Sequence, residues 1–450
     1  MNIDALAGEI WDAAVELGLD PHPVHFEVVP HHVLYEVAAY GLPNHFRHWT
    51  YGRNYWIQKQ QYEHGMSRIY ELVINSDPAL AYILQNNNDV QKAFVMAHVM
   101  GHSHIFKCNW HWKDTRKDMP QYMAAAGARF AEYEQVYGEM PVERLIDKGL
   151  ALQFHVADEE HEPVLEQRQV KKRTEFDELF EAGGNQAAVH PDPKPAKPGN
   201  SVGPGHLNRL PAPTEDLLGY IIRYSPVLTP WEKDVLSVIR QEGIYLKPYF
   251  GTKLLHEGFA VWTHQKILGM LDLTQEDRLE AAITHAGVAV PHLLGLNPYY
   301  LGWKILEMIE REKGKEEVIR IASEESDSSF IRNHLTTEMV EELDLYQWVK
   351  KEDHDPGYPK GHKWVVEETG WENVRDWLAA KYAQPPLPVI EAVAESQDQR
   401  GELVLWQVGD EDMDRHYAEQ TLSYFIDLWG GDVKLSCNLD GIRGVIIRRR

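Results

Sequence analysis

His98 and His102 stand four residues apart in the stretch Phe94-Val-Met-Ala-His98-Val-Met-Gly-His102. On a helix that spacing puts two imidazoles on one face, one turn apart. It is also the spacing by which two histidines reach one metal ion. With residues placed about 100° apart around the axis, Val90, Phe94, Ala97 and Ile105 form one apolar side. Val95 and Val99 form another, Met96 and Met100 a third, and only Gln91, Lys92 and Ser103 read as wet. A helix apolar nearly all round is a buried one. Histidines inside it must be paired, hydrogen-bonded or bound to metal. The pair alone does not choose among these, because many core histidines are satisfied by backbone carbonyls. His104 falls on a different side of the same helix. It is a poor third ligand and suits capping, packing or a second site better.

Two histidines need at least one further ligand. A later stretch, Leu255-His256-Glu257-Gly258-Phe259-Ala260 running on to His264, reads as a helix with Glu257, Val261, His264 and Leu268 on one face. The two stretches together resemble the gluzincin metallopeptidases, in which H-E-x-x-H supplies two ligands and a glutamate within Glu-Gly-x-Ala the third. Two imidazoles and a carboxylate leave a position on the ion open for water or substrate. One departure matters. Val99 occupies the place of the glutamate that deprotonates the bound water, and valine cannot take a proton. Glu242 and Glu71 are candidates for that role by context only. His264 lies about 10.5 Å beyond Glu257 along a straight helix axis. That distance fits a hydrogen bond to a ligand, a substrate contact or a second ion better than a shared one. The candidate metal set is therefore His98, His102 and Glu257 with His264 nearby, and His104, Glu242 and Glu71 are candidates to surround it. Zinc is the first expectation among divalent ions.

The 69 acidic residues against 45 Lys and Arg give a formal charge of −24. Such a surface repels nucleic acid and anionic membranes. Only Cys108 and Cys437 are present, which excludes a disulfide framework and a cysteine zinc site and fits a reducing cytoplasm. The Met1-Asn-Ile-Asp-Ala start has no basic region followed by an apolar run. The longest apolar candidate, Ala281 to Leu296, is broken by His285, Pro291 and His292, so no membrane span is expected. The chain reads as soluble and cytoplasmic. Its 14 Trp and 21 Tyr are read chiefly as core and interface material.

A length of 450 residues suggests two or three domains. Residues 3 to 19 read as an amphipathic helix ended by Gly18, and His31 to Tyr40 as a second. Asn44 to Trp56, dense in aromatics and without a period, reads as a loop. Branched residues up to Ile74 favour a strand, and Asp77-Pro78 reads as the start of a short helix. Asn88 and Gln91 form a cap pair for the histidine helix. A long helical region is expected from about Pro120 to Val170. Residues 183 to 213 hold seven prolines among Gly, Asn and Ser and read as a linker. Thr229-Pro-Trp-Glu232 is a helix start, and helices follow to about Lys350. After Pro385 the pattern becomes a ββαββ module, with Gly430-Gly431 and Asp440-Gly441 as turns. The expected fold is mainly α (α+β): a zincin-like helical core in two parts, 1–182 and 214–384, joined by the 183–213 linker, with a small α/β module over 385–450.

The chain as a whole resembles the stage V sporulation protein R family. The segments that carry this are Tyr40-Gly-Leu-Pro43, His48-Trp49, Tyr70-Glu-Leu-Val-Ile-Asn75, Ala97-His-Val-Met-Gly-His102, Asp234-Val-Leu-Ser237, Thr252-Lys253 and Glu257-Gly-Phe-Ala260. Asn297-Pro-Tyr299 with Leu301-Gly302, and Phe330-Ile-Arg-Asn333 with Leu335-Thr336, continue the series. The match runs in order from about residue 25 to 345. The resemblance implies a role in sporulation, at the stage when the peptidoglycan cortex is built, with a peptidoglycan-related substrate or a protein partner. It implies no settled reaction. The family's histidine helix also lacks the H-E-x-x-H glutamate. His98, His102, Glu257 and His264 match family positions, whereas position 256 is usually Asn there. Two expectations follow: a metal-dependent enzyme, or a regulatory or scaffold protein that keeps a degenerate peptidase fold.

Overall fold

The computed structural model describes residues 2–63, 71–157, 214–291, 296–353, 361–382, 387–395 and 401–450. The proposed linker at 183–213 lies outside them. The first part runs α1 (Ile3–Leu17), β1 (Val24–Val29), α2 (His31–Tyr40), α3 (Trp49–Glu63), β2 (Glu71–Ile74), β3 (Ala79–Leu84), α4 (Asp89–Cys108), α5 (Met119–Tyr137) and α6 (Glu139–Ala151). Then follow α7 (Leu217–Tyr224), α8 (Pro230–Gly251), α9 (Lys253–Met270), α10 (Gln275–Val288), α11 (Pro298–Lys313), α12 (Lys315–Glu324), α13 (Asp327–His334) and α14 (Thr337–Glu342). The remainder is β4 (Gln347–Asp353), β5 (Gly361–Glu368), α15 (Trp371–Tyr382), β6 (Val389–Glu395), β7 (Leu403–Val408), α16 (Arg415–Trp429), β8 (Val433–Leu439) and β9 (Ile442–Arg448). The fold is mainly helical with small sheets.

Several boundaries follow from local chemistry. α1 stops where Gly18 takes a left-handed conformation, φ +105°, which glycine adopts without a Cβ clash. Asn88 and Gln91 close a capping box at the start of α4, and Thr229 with Glu232 does so for α8. The expected helix from Pro120 is divided at Gly138, φ +92°, into α5 and α6.

Other segments differ from the sequence reading. The residues after Asp77-Pro78 form a strand, not a helix. β3 is the middle strand of its sheet, parallel to β1 and antiparallel to β2. Its alternation of buried and half-buried residues is a strand's, and the pairing on both sides outweighs the local propensity of Ala79 and Ala81. Residues 49–63 are helical although they show no amphipathic period. Only Tyr51 of α3 is buried, so no apolar stripe was needed. The helical run ends before Lys350: β4 pairs antiparallel with β5, Val349 opposite Val365.

The C-terminal sheet has the order β6-β7-β8-β9, with β7 and β8 parallel across α16. Buried apolar residues gather in two main clusters. One is built on α1, α4, α9, α11, α12 and α13. The other joins α5, α6, α7 and α8 to α16 and the C-terminal sheet. The histidine helix α4 and the glutamate helix α9 both belong to the first.

Candidate metal centre

Fifteen successive or near-successive residues of α4, from Val90 to Phe106, are buried. The helix is therefore enclosed, as its composition requires. Ser103 is enclosed too, against expectation, and donates to the carbonyl of His22 at 2.9 Å. Helix α9 lies against it. The approach is close because Gly101 faces Ala260: a Cβ on Gly101 would sit 2.7 Å from the Ala260 Cα. On the other side of α9, a Cβ on Gly258 would fall 2.4 Å from the carbonyl carbon of Gly302 in α11. Two glycine contacts thus set the spacing of three helices.

The start of α9 is fixed from a distance. Asp327, fully buried, accepts from the backbone N–H groups of Leu254 (2.7 Å) and Leu255 (2.8 Å). These are two of the donors a helix start leaves free. Nothing near Glu257 in the chain announces this remote cap, so sequence reasoning missed it.

Within this frame His98, His102 and Glu257 each turn one ligand atom to a common point, all within 4.8 Å of one another. His98 Nε2 lies 3.9 Å and His102 Nε2 3.7 Å from Glu257 Oε2. These distances are too long for hydrogen bonds. They are near the ~3.4 Å expected between donors bound tetrahedrally to zinc at about 2.0–2.2 Å each. Glu257 Oε2 is buried with no hydrogen-bond partner among the described residues, and the same is true of His102 Nδ1 and His256 Nε2. Buried polar atoms without partners are rare and ask for an occupant.

Burial dominates the electrostatics. It lowers the His98 pKa to about 3 and that of His102 well below the usual imidazole range, with the neighbouring His256, His98 and His264 adding to the effect on His102. Both rings are therefore neutral, the form that binds metal. Burial also lifts Glu257 to about 7, against a hydrogen bond from Tyr299 that favours the carboxylate. A bound dication would hold that carboxylate ionised and displace its proton.

The remaining candidates separate by position. His264 is outside the converging set. Its Nδ1 lies 3.0 Å from His98 Nδ1, the nitrogen turned away from Glu257. It backs His98 in the position from which a neighbour would orient a metal-binding imidazole. Glu71 is lifted to about 8, by burial and then by the charge of Glu257, and both carboxylates act on Tyr299. Glu242 belongs to another neighbourhood, paired with His45 at 2.6 Å. His104 is held by the Asp20 N–H at its Nδ1 (3.0 Å) with Ser323 Oγ at 3.4 Å from its Nε2, a packing role. His256 points away from Glu257 on its own helix, but the neighbouring helix brings His102 to it, with ring centroids 4.5 Å apart. Tyr299, His285 and Gln265 were not singled out for chemistry. Only Tyr299 carried a signal, as part of the Asn297-Pro-Tyr motif.

Comparison with known proteins bears on the whole of this frame. The family model described as "SpoVR like protein" matches residues 1–385, from α1 to just beyond α15. The chain belongs to the SpoVR family. It is similar to "Uncharacterized protein YcgB" of Escherichia coli (strain K12), 25% identical over 485 residues that cover 96% of this chain and 91% of the relative. No solved structure matches. Both site helices of this SpoVR chain lie inside the matched region. No helix among the described residues is long and apolar enough to cross a membrane.

Proposed function

We propose that this SpoVR chain is a metalloprotein in which His98, His102 and Glu257 hold a divalent ion, zinc first, in a two-helix arrangement like that of the zincins. The observation that carries the reading is the gap itself: two neutral imidazoles and a partnerless buried carboxylate oxygen face one point from two helices. The ion would supply Lewis-acid activation of a water or a substrate oxygen. Glu71 fits the proton-accepting role left open by Val99, since it shares the surroundings of Glu257 and Tyr299. Glu242 does not fit it, being engaged by His45. Within the sporulation role that the family resemblance implies, the chemistry would serve formation of the spore cortex. Elemental analysis of the purified chain tests the centre. A stoichiometric divalent ion that is lost in His102→Ala and Glu257→Ala supports it. No metal in the wild type, or equal metal in the variants, rejects it.

One observation favours a second reading. The position of the usual general base is a fully buried valine, Val99. A regulatory or scaffold protein that keeps a degenerate metallopeptidase fold would need no base, and any metal would be structural. A folded His102→Ala variant that still supports cortex assembly decides for this alternative.

A further inference from the structure

Behind His98 the hydrogen bonding continues away from the metal centre through two more rings. His98 Nδ1 meets His264 Nδ1 at 3.0 Å. His264 Nε2 meets His285 Nδ1 at 3.1 Å. His285 Nε2 meets the side-chain amide of Gln265 at 3.1 Å. His264 is fully buried, whereas Gln265 and His285 are half-buried at the rim. His285 packs edge-on against Trp303 in α11.

A neutral imidazole carries one N–H and one bare nitrogen. At about pH 8.5, above the imidazole range, all three rings are neutral. Each link then needs one donor and one acceptor, so the chain of three rings can point only one of two ways. In the first, His98 Nδ1–H donates to His264, His264 Nε2–H donates to His285, and His285 Nε2–H donates to an oxygen of Gln265. His98 Nε2 is then bare and faces Glu257, ready for a cation. In the second, every proton sits on the opposite nitrogen. The Gln265 amide donates inward, and His98 Nε2 carries a hydrogen directed at Glu257, which excludes a cation. Net charge and proton count are the same in both. The Gln265 amide presents its nitrogen to His285, the second arrangement. A half-turn of that amide presents the oxygen and selects the first.

We propose that Gln265 and His285 are positioning residues that set the tautomer of His98, and through it the cation affinity of the centre, by fixing the direction of this hydrogen-bonded chain. The inference rests on the metal-centre reading. It goes beyond it by assigning control to Gln265, three rings removed from the ion.

The experiment measures zinc and cobalt affinity of the full chain at about pH 8.5, above the imidazole range, with nitrogen NMR of labelled histidine as a second readout. Gln265→Glu offers only acceptors and Gln265→Lys only donors. The expected results have opposite signs: tighter binding for Gln265→Glu, and weakening of about tenfold or more for Gln265→Lys, the range seen when partners of metal-binding histidines are altered. His285→Phe keeps an aromatic ring against Trp303 but breaks the chain. In that background the two Gln265 variants should bind alike, and the His98 tautomer signal should no longer follow residue 265. A difference that survives His285→Phe means through-space charge and overturns the proposal. So do effects of the same sign, or none. A wild type that binds neither ion fails at an earlier point: the metal-centre reading falls first and this inference with it.

Discussion

In the second apolar cluster His45 Nε2 lies 2.6 Å from Glu242 Oε1, with side-chain exposures of 0% and 6%. In the first cluster two histidine nitrogens stop 3.9 and 3.7 Å short of Glu257. The residue types are the same and the histidine side chains of both places are buried, but Glu257 is 20% exposed. Around His45 the pair is in contact: Tyr40, Phe46 and Tyr51 pack on the ring and one carboxylate oxygen reaches it, although Glu242 Oε2, like Glu257 Oε2, is buried without a hydrogen-bond partner among the described residues. Around Glu257 it is held open. The α4–α9 and α9–α11 spacings are set by Gly101 and Gly258 against backbone atoms, so the side chains cannot close the gap by moving the helices together. A histidine–glutamate pair in a core is thus a tie when the backbone lets the groups touch, and a candidate cation site when it does not.

The largest expected effect breaks or upholds that contrast directly. His102→Ala and Glu257→Ala should lower zinc affinity at least about a hundredfold, roughly 3 kcal/mol, while Glu242→Gln stays within about twofold. Competition against a chelating dye reads this, and an equal loss in Glu242→Gln would erase the distinction.

Burial makes the histidine side of the first cluster acid-sensitive. His104 is held down to about 4, chiefly by burial. Below about pH 6.5 the unfolded chain takes up a proton that the native chain refuses, so stability falls as pH drops from about 6.5 to 4 and then levels. The group accounts for on the order of 3 kcal/mol over that window. Denaturant unfolding across pH should show a shallower acid limb in His104→Asn.

The spacing argument can be sharpened with Gly258→Ala. The added methyl meets the Gly302 backbone, and overpacking of this kind costs about 2–3 kcal/mol. It should also weaken zinc binding although it touches no ligand. Unchanged affinity would mean that the gap does not depend on the α9–α11 contact.

The smallest effect concerns the closed pair. Glu242→Gln in metal-free protein should cost about 1–2 kcal/mol, because it weakens a hydrogen bond that the buried His45 ring already has. Glu257→Gln under the same conditions should be near neutral, since Glu257 Oε2 has no hydrogen bond to lose. Paired unfolding curves check the difference.

Much of the first site was legible because helix periodicity is local. The His98–His102 face, the enclosure of α4, the Asn88–Gln91 cap and the Glu257 helix all follow from residues within a few turns of one another. β3 was misread because its strand pairing comes from β1 and β2, not from its own residues. α3 was missed because an exposed helix needs no apolar stripe.

What the sequence determined by itself was the set of candidate ligands on each helix and the family that carries them, for both depend on spacing along one chain. What only the tertiary structure decided was distance between helices. It turned Glu257 toward two histidines more than 150 residues away in the chain. It gave Glu242 to His45, placed His264 behind His98 instead of beside it, and set Asp327 on the start of α9. Each of these depends on how closely two backbones can approach. That is fixed by glycines and packed side chains from separate parts of the chain, which no local pattern records.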